Sequence, residues 1–345
     1  MAKAQNSDPK RTPVEEIGKI NLLERLLSVT GASLNDTLRY GEEGEFCWIS
    51  SHILLLEGID FDLIYTPLKH LGYKSVLGAF GPIVAHNYTP ESISINIGLS
   101  KRFFVEDIEE LWSGIAAALD EYKIKSVNLN LSSSLTGLAI SLSSEGKQPK
   151  EILVQTPKVQ PTDLLCLTGN LGAAYMGLQL LEREKVLFNS NPAIQPKLDG
   201  YKFILQSYLN PQLNTSIKDL FETSKIIPSD GVFINNGLAD AVKFICKKHN
   251  TGAKVFLDKI PIASHTFEIA EELNMDAITA ALNGGDDFQI LYVIPLSKYE
   301  ELNKEIPQLD IIGHLTSNSG ETLLITPDGA GINLKAQGWS EGVSD

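Results

Sequence analysis

Apolar and polar positions alternate most cleanly at Ile93, Ile95, Ile97 and Leu99, and again at Leu138, Ile140 and Leu142. A period of two marks strands of a sheet with one covered face. Between them, Ile108, Leu111, Trp112, Ile115, Leu119 and Tyr122 fall on one side of a helix. Glu106 and Asp107 sit in its first turn, where the helix dipole favours acids. The run Trp48 to Leu56 predicts a buried strand ended by Glu57-Gly58, after a polar loop containing Gly41 to Gly44. A helix is predicted over Val14 to Leu27, and another stretch of helix between Tyr65 and His86, where Gly81-Pro82 is expected to kink or break it. The first half therefore reads strand, helix, strand, helix, strand.

The second half opens on predicted strands at Ile152 to Gln155 and Leu164 to Thr168, then the turn Gly169-Asn170-Leu171-Gly172 and a helix to about Lys185. Pro192, Pro196 and Gly200 mark a long loop. Helices near Ile217 to Lys225, Leu238 to His249 and Phe267 to Leu273, with strands near Val255, Phe288 to Ile294, Ile311 and Leu323, complete an α/β pattern. The length of 345 residues suits two domains, at roughly 100 to 200 residues each. Ser143 to Pro149, with Gly146 at its centre, is the best boundary, giving domains of 1–148 and 149–345 with a disordered tail over about 1–12.

Charge narrows the function. With 29 Lys plus Arg against 43 Asp plus Glu, the chain carries a formal charge of -14, which gives nucleic acid and anionic membranes no electrostatic footing. No apolar run reaches the roughly 18 residues of a membrane span and the start lacks a secretion signal, so a cytoplasmic protein is expected. Cys47, Cys166 and Cys246 are odd in number and far apart, which predicts reduced, buried thiols.

Two stretches carry candidate chemistry. Thr168-Gly169-Asn170-Leu171-Gly172 lies between a strand and a helix, an arrangement in which backbone N–H groups can hold a phosphate or simply turn the chain. Asn283-Gly284-Gly285-Asp286-Asp287-Phe288 puts two glycines and two carboxylates before a strand, where the acids either bind a phosphate's metal or cap a loop.

Together with Leu55-Leu56-Glu57-Gly58-Ile59-Asp60-Phe61-Asp62, Leu71-Gly72-Tyr73-Lys74, Ser134-Leu135-Thr136-Gly137 and Gly237-Leu238, these stretches resemble the thiamine-monophosphate kinase family, related to aminoimidazole ribonucleotide synthase. The resemblance covers nearly the whole chain. It implies an α/β (α+β), two-domain aminoimidazole ribonucleotide synthase-like fold, with an N-terminal sheet domain forming a homodimer interface and a C-terminal α/β domain. It further implies a cleft in which ATP and Mg²⁺ meet thiamine monophosphate and the terminal phosphoryl passes to the substrate phosphate.

The chain departs from that family at its aspartates. The G-D-D-A-A-V pattern becomes Asn35-Asp36-Thr37-Leu38-Arg39-Tyr40, T-D becomes His52-Ile53, and S-D becomes Gly81-Pro82. G-G-D-T-T becomes Asn128-Leu129-Asn130-Leu131-Ser132, and D-x-S-D-G-L becomes Phe233-Ile234-Asn235-Asn236-Gly237-Leu238. Only Asp36 and the pair Asp286-Asp287 remain, with Asp36 and Asp287 as weak metal ligands, and no arginine follows Arg183 to clamp a phosphate instead.

The leading expectation is a kinase-like protein, catalytically weak or inactive, that keeps a remodelled cleft for a nucleotide or thiamine-type ligand. Its site would comprise Asp36, Asn130, Ser132, Gly169, Gly172, Asn236, Gly285, Asp287 and Trp339, the last either stacking on a ring or sealing the core. Two alternatives stand beside it: an active kinase with magnesium held by Asp36, Asp60, Asp286 and Asp287, and a non-enzymatic dimerising partner of an active paralogue.

Overall fold

The computed structural model describes residues 13–191 and 198–339. The expected tail at 1–12 and the prolines at 192 and 196 lie outside them. Five strands build the first sheet: β1 (Leu38–Glu43), β2 (Phe46–Leu56), β3 (Thr89–Leu99), β4 (Ser126–Ser133) and β5 (Leu138–Pro149). Their spatial order is β1-β2-β5-β3-β4, antiparallel except for the parallel β3/β4 pair. The parallel pair needs a crossover, and the helix Val105–Glu121 supplies it.

That helix and Leu68–Ala85 cover one face of the sheet. They approach closely because Gly72 lies against the Leu111 carbonyl and Gly114 against the Lys69 carbonyl, leaving no room for a Cβ at either position. The opposite face of the sheet carries His52, Leu54, Leu56, Asn96 and Asn130, all exposed.

Seven strands form the second sheet: β6 (Leu164–Thr168), β7 (Asp230–Ile234), β8 (Gly252–Phe256), β9 (Gln289–Ile294), β10 (Leu309–Thr316), β11 (Thr322–Ile325) and β12 (Gly331–Asn333). The order is β12-β11-β8-β10-β6-β9-β7. The helix Leu238–His249 packs on β7, β8 and β9, and Ala173–Ser190 packs on the helices Lys202–Leu209, Ser264–Glu272 and Ala277–Asn283. The Leu68–Ala85 helix also packs on β7 and β9, so one hydrophobic core runs from the first sheet into the second through Phe80, Phe233, Phe288 and Tyr292.

Several sequence expectations are corrected. Pro82 does not break its helix, which runs through from Leu68 to Ala85 with most of its residues buried; packing on all sides outweighs the roughly 3 kcal/mol proline penalty. Residues 152–155 are helical rather than strand, in Lys150–Gln155, because Pro149 stands just ahead of the first turn and a short apolar run cannot separate the two states. The polar run at 41–44 belongs to the β1/β2 hairpin, turned at Gly44 with φ +58. Ser143 to Pro149, the expected domain boundary, is the paired end of β5. The first helix is split at Gly18, φ +80, into Val14–Ile17 and Lys19–Val29. All three cysteines are buried and unbridged, as expected.

Candidate functional site

A cleft of about 550 Å³ opens between the two sheets' domains. Its first wall is the end of β2, the turn after it, and the Leu68–Ala85 helix. In that turn Asp60 Oδ2 accepts the Leu56 amide at 2.7 Å and Asp62 Oδ1 accepts the Ile64 amide at 2.8 Å. These bonds fold the polar segment back so that Asp60, Phe61 and Asp62 line the cavity. From the helix, Lys74 extends into the cleft one turn beyond Leu71.

The second wall comprises the Ala173–Ser190 helix, Tyr208, Asn235-Asn236 and the loop from Asn283 to Phe288. That loop is unusual: Gly285, Asp286 and Phe288 have φ of +77, +60 and +55. A bulky residue in the left-handed region is strained, at roughly 1–3 kcal/mol, and the surroundings hold it there. The Asp286 amide donates to the Asn235 carbonyl at 2.9 Å, and the Phe288 ring meets Phe233 edge-on at 5.2 Å.

Ion pairs across the two walls flank the opening. Lys74 Nζ lies 2.8 Å from Asp286 Oδ2, and Lys185 Nζ lies 2.7 Å from Asp62 Oδ2. Burial alone would raise Asp62, but the Lys185 ammonium and the Ile64 amide hold its carboxyl below the usual range. Tyr65 Oη donates to Glu182 Oε1 at 2.6 Å, and burial together with that carboxylate pushes its phenol upward. Asp240 is engaged as well, accepting from Trp339 Nε1 at 2.6 Å and from Asn236 Nδ2 at 3.3 Å. Thus all five carboxylates lining the cleft, Asp60, Asp62, Glu182, Asp240 and Asp286, already face a cation or a donor.

The residues singled out by sequence are only partly brought together. Asn236 lines the cleft, with Gly285 between its lining neighbours Gly284 and Asp286. Trp339 stands half-buried at the rim with Lys243 and Lys247 at 5.7 and 5.4 Å from its ring. Asp287 turns away: both its oxygens accept the Gly172 amide at 2.9 Å and one accepts Ala174 at 3.3 Å. It caps the helix Ala173–Ser190 from outside, in the position where a phosphate was expected to meet Gly172. Burial lifts Asp287 to about 7, against the pull of the two amides. Gly169, φ +59, packs on the Gln289 side chain instead of the cleft. Asn130 and Ser132 sit in β4, Asn130 bonding Asn96 at 3.2 Å on the open face of the first sheet.

Asp36 lies elsewhere, in a charged ladder beside a smaller cavity of about 270 Å³. His86 donates Nε2–H to Asp36 at 2.9 Å and Nδ1–H to Asp230 at 3.2 Å; Asp230 also takes His249 at 2.5 Å and Lys248 at 2.9 Å. With a carboxylate at each ring nitrogen, His86 is an imidazolium. Burial opposes that charge, yet Asp36 and Asp230 outweigh it and raise His86 to about 9.

Among the described residues the protein alone offers no preformed site for a divalent ion. Mg²⁺ is usually held by one or two carboxylates together with waters and substrate phosphates. Among the described residues no three carboxylate, histidine or cysteine side chains converge as ligands. Asp36 and Asp287 are engaged with different partners and neither lines the cleft. Sequence reasoning missed Lys74, Lys185, Glu182, Tyr65, Tyr208 and Asp240 as cleft residues. Lys74 had a signal, standing in the Leu71-Gly72-Tyr73-Lys74 stretch; the others had none.

No protein-family model matches the chain. Curated relatives do. Thiamine-monophosphate kinase of Buchnera aphidicola subsp. Schizaphis graminum is 28% identical over 272 residues, 76% of this chain and 77% of its own length. The Aquifex aeolicus enzyme of that name is 23% identical over 287 residues, covering 83% and 85%. Among solved structures, AaThiL complexed with AMPPCP and TMP superposes with TM-score 0.80 at 20% identity, covering 96% of this chain and 99% of that one. The hydrogenase maturation protein HypE in complex with ATP gives TM-score 0.63 at 15% identity over 90% of this chain and 89% of that one.

The fold is therefore the two-domain, aminoimidazole ribonucleotide synthase-like one. Within that class the chain is a thiamine-monophosphate-kinase-like protein, related by sequence to the enzymes of that name. No helix among the described residues is long and apolar enough to cross a membrane.

Proposed function

We propose that the cleft binds a phosphate-bearing ligand of nucleotide or thiamine type and that the chain transfers phosphate weakly or not at all. One observation carries the second half of this reading: the five lining carboxylates are each already paired with a cation or a donor and no three acids converge among the described residues, which leaves little carboxylate to recruit the magnesium that phosphoryl transfer requires. The positions where the family resemblance puts acids hold Thr37, Ile53, Pro82, Asn130, Phe233 and Asn236. Support for the first half comes from the neighbouring complex with AMPPCP and TMP, and from a cavity of about 550 Å³, within the usual range for small-molecule sites.

The same reading includes a homodimer through the open face of the first sheet. That face is largely uncharged, at His52, Leu54, Leu56, Asn96 and Asn130, and carries Glu145 and Lys147, of opposite sign, towards one end of β5.

Thermal melting of the full chain with thiamine monophosphate, with AMPPCP and with neither tests the ligand reading. A shift upward of several degrees with at least one is expected; no shift with either contradicts it. Light scattering after size exclusion reads the dimer directly, and a monomer at all concentrations removes it.

A further inference from the structure

Three lysines reach the cleft, and they are not equivalent. Lys19 is exposed at the rim. Lys185 is held on two sides, by Asp62 at 2.7 Å and by Glu182 at 3.3 Å. Lys74 stands deeper, its side chain 13% exposed, with its ammonium 4.0 Å from the centre of the Tyr208 ring and 5.7 Å from that of Phe288. An ammonium has three N–H donors, and the hydrogen bond to Asp286 at 2.8 Å occupies one of them. The Tyr208 face, an electron-rich surface, steadies the charge without taking up a donor in the plane of a strong bond.

Asp286, the partner, is itself 34% exposed. A carboxylate in that position attracts the ammonium modestly, because water screens it. A phosphomonoester carries up to two charges and three acceptor oxygens, so it competes well for a lysine with donors to spare. The cation is thus pre-placed by an aromatic face, presented to the cavity, and countered by an acid that can turn to solvent.

On the reading that this cleft takes a phosphate-bearing ligand, we propose that Lys74 anchors that phosphate directly and that binding is independent of divalent metal. Lys74 supplies the positive charge that the lost aspartates no longer recruit as magnesium. The ligand class is a compound with a terminal, dianionic phosphoryl group: that chemistry is shared by the monoester of thiamine monophosphate and a nucleotide's terminal phosphate, and the assay separates them.

The experiment is titration calorimetry on the full chain with thiamine monophosphate, unphosphorylated thiamine and AMPPCP, each in EDTA and in excess Mg²⁺. A phosphorylated ligand is expected to bind within about twofold equally in both buffers, and thiamine weaker than thiamine monophosphate by at least tenfold if thiamine monophosphate is that ligand. Lys74→Met should weaken the phosphorylated ligand at least tenfold, and Lys74→Arg should recover part of it. Asp286→Asn, which removes the competing acid and keeps the shape, should tighten binding, so the proposal stays testable if Lys74→Met fails to fold. Binding abolished by EDTA, or unchanged in Lys74→Met, or not tightened in Asp286→Asn, overturns the role of Lys74 while leaving the cleft reading intact. Absence of binding by all three compounds in both buffers overturns the cleft reading and this proposal together.

Discussion

The ring of Phe233 rests on the bare α-carbon of Gly81, where an added Cβ would lie 2.5 Å from the ring's Cγ. Two of the positions at which the chain departs from the family pattern are therefore in contact, and Phe288 closes the same contact from the other side at 5.2 Å. Gly81 and Phe233 thus join β7 to the Leu68–Ala85 helix, while other departures lie apart, Asn236 in the cleft and Asn130 on the open face of the first sheet. Gly81→Ala should destabilise the chain by about 1–3 kcal/mol through overpacking. Phe233→Ala should cost about 3–5 kcal/mol, and Phe233→Asp more, since a carboxylate would replace an almost fully buried ring. Urea denaturation of the three variants checks this; a change under about 0.5 kcal/mol in Gly81→Ala would show that the contact relaxes freely.

Asp287 caps a helix from a loop more than a hundred residues away in sequence. Asp287→Ala leaves the Gly172 and Ala174 amides without their acceptor and should cost about 1–3 kcal/mol. Because burial raises its pKa from 3.8 to about 7, the folded state holds this proton more tightly than the unfolded one. Its contribution is fully present at low pH and is lost as pH rises through about 7. Melting curves of the wild type and Asp287→Asn between pH 5 and 7.5 should therefore diverge in slope, the variant being flatter.

His86 links the two domains electrostatically through Asp36 and Asp230, and Asp230 is also bonded by His249 and by the Lys248 ammonium. Its pKa is raised from 6.5 to about 9, so the stabilisation is present below pH 6.5 and is lost as pH rises through about 9. The melting temperature should decline between pH 7.5 and 9.5 in the wild type and decline less in His86→Gln. Parallel slopes in the two proteins would show that the ladder does not carry this dependence.

The strands at Ile93 to Leu99 and Leu138 to Leu142 and the helix around Leu111 and Ile115 were legible because each buries one face, and burial imposes a period. Lys150–Gln155 was not, since six residues are too few to separate helix from strand. β4 was missed because its alternation of Leu and Asn sits at a sheet edge with every residue exposed. The loss of acids could be read from residue types, but the contact of Gly81 with Phe233 could not, the two being 152 positions apart. Pairings such as Lys74 with Asp286 and Asp287 with Gly172 are tertiary facts, set by how the Asn283–Phe288 stretch folds under left-handed backbone angles that only its glycines hinted at.

The central claim is that this cleft offers a nucleotide's divalent ion few uncommitted carboxylates and so drives phosphoryl transfer weakly or not at all. The direct measurement is incubation of the purified full chain with γ-labelled ATP, thiamine monophosphate and Mg²⁺, with labelled thiamine diphosphate resolved over time. The account predicts label at or barely above the level of a protein-free control, fewer than one turnover per chain over the incubation. Linear accumulation over many turnovers, stopped by EDTA, would contradict it.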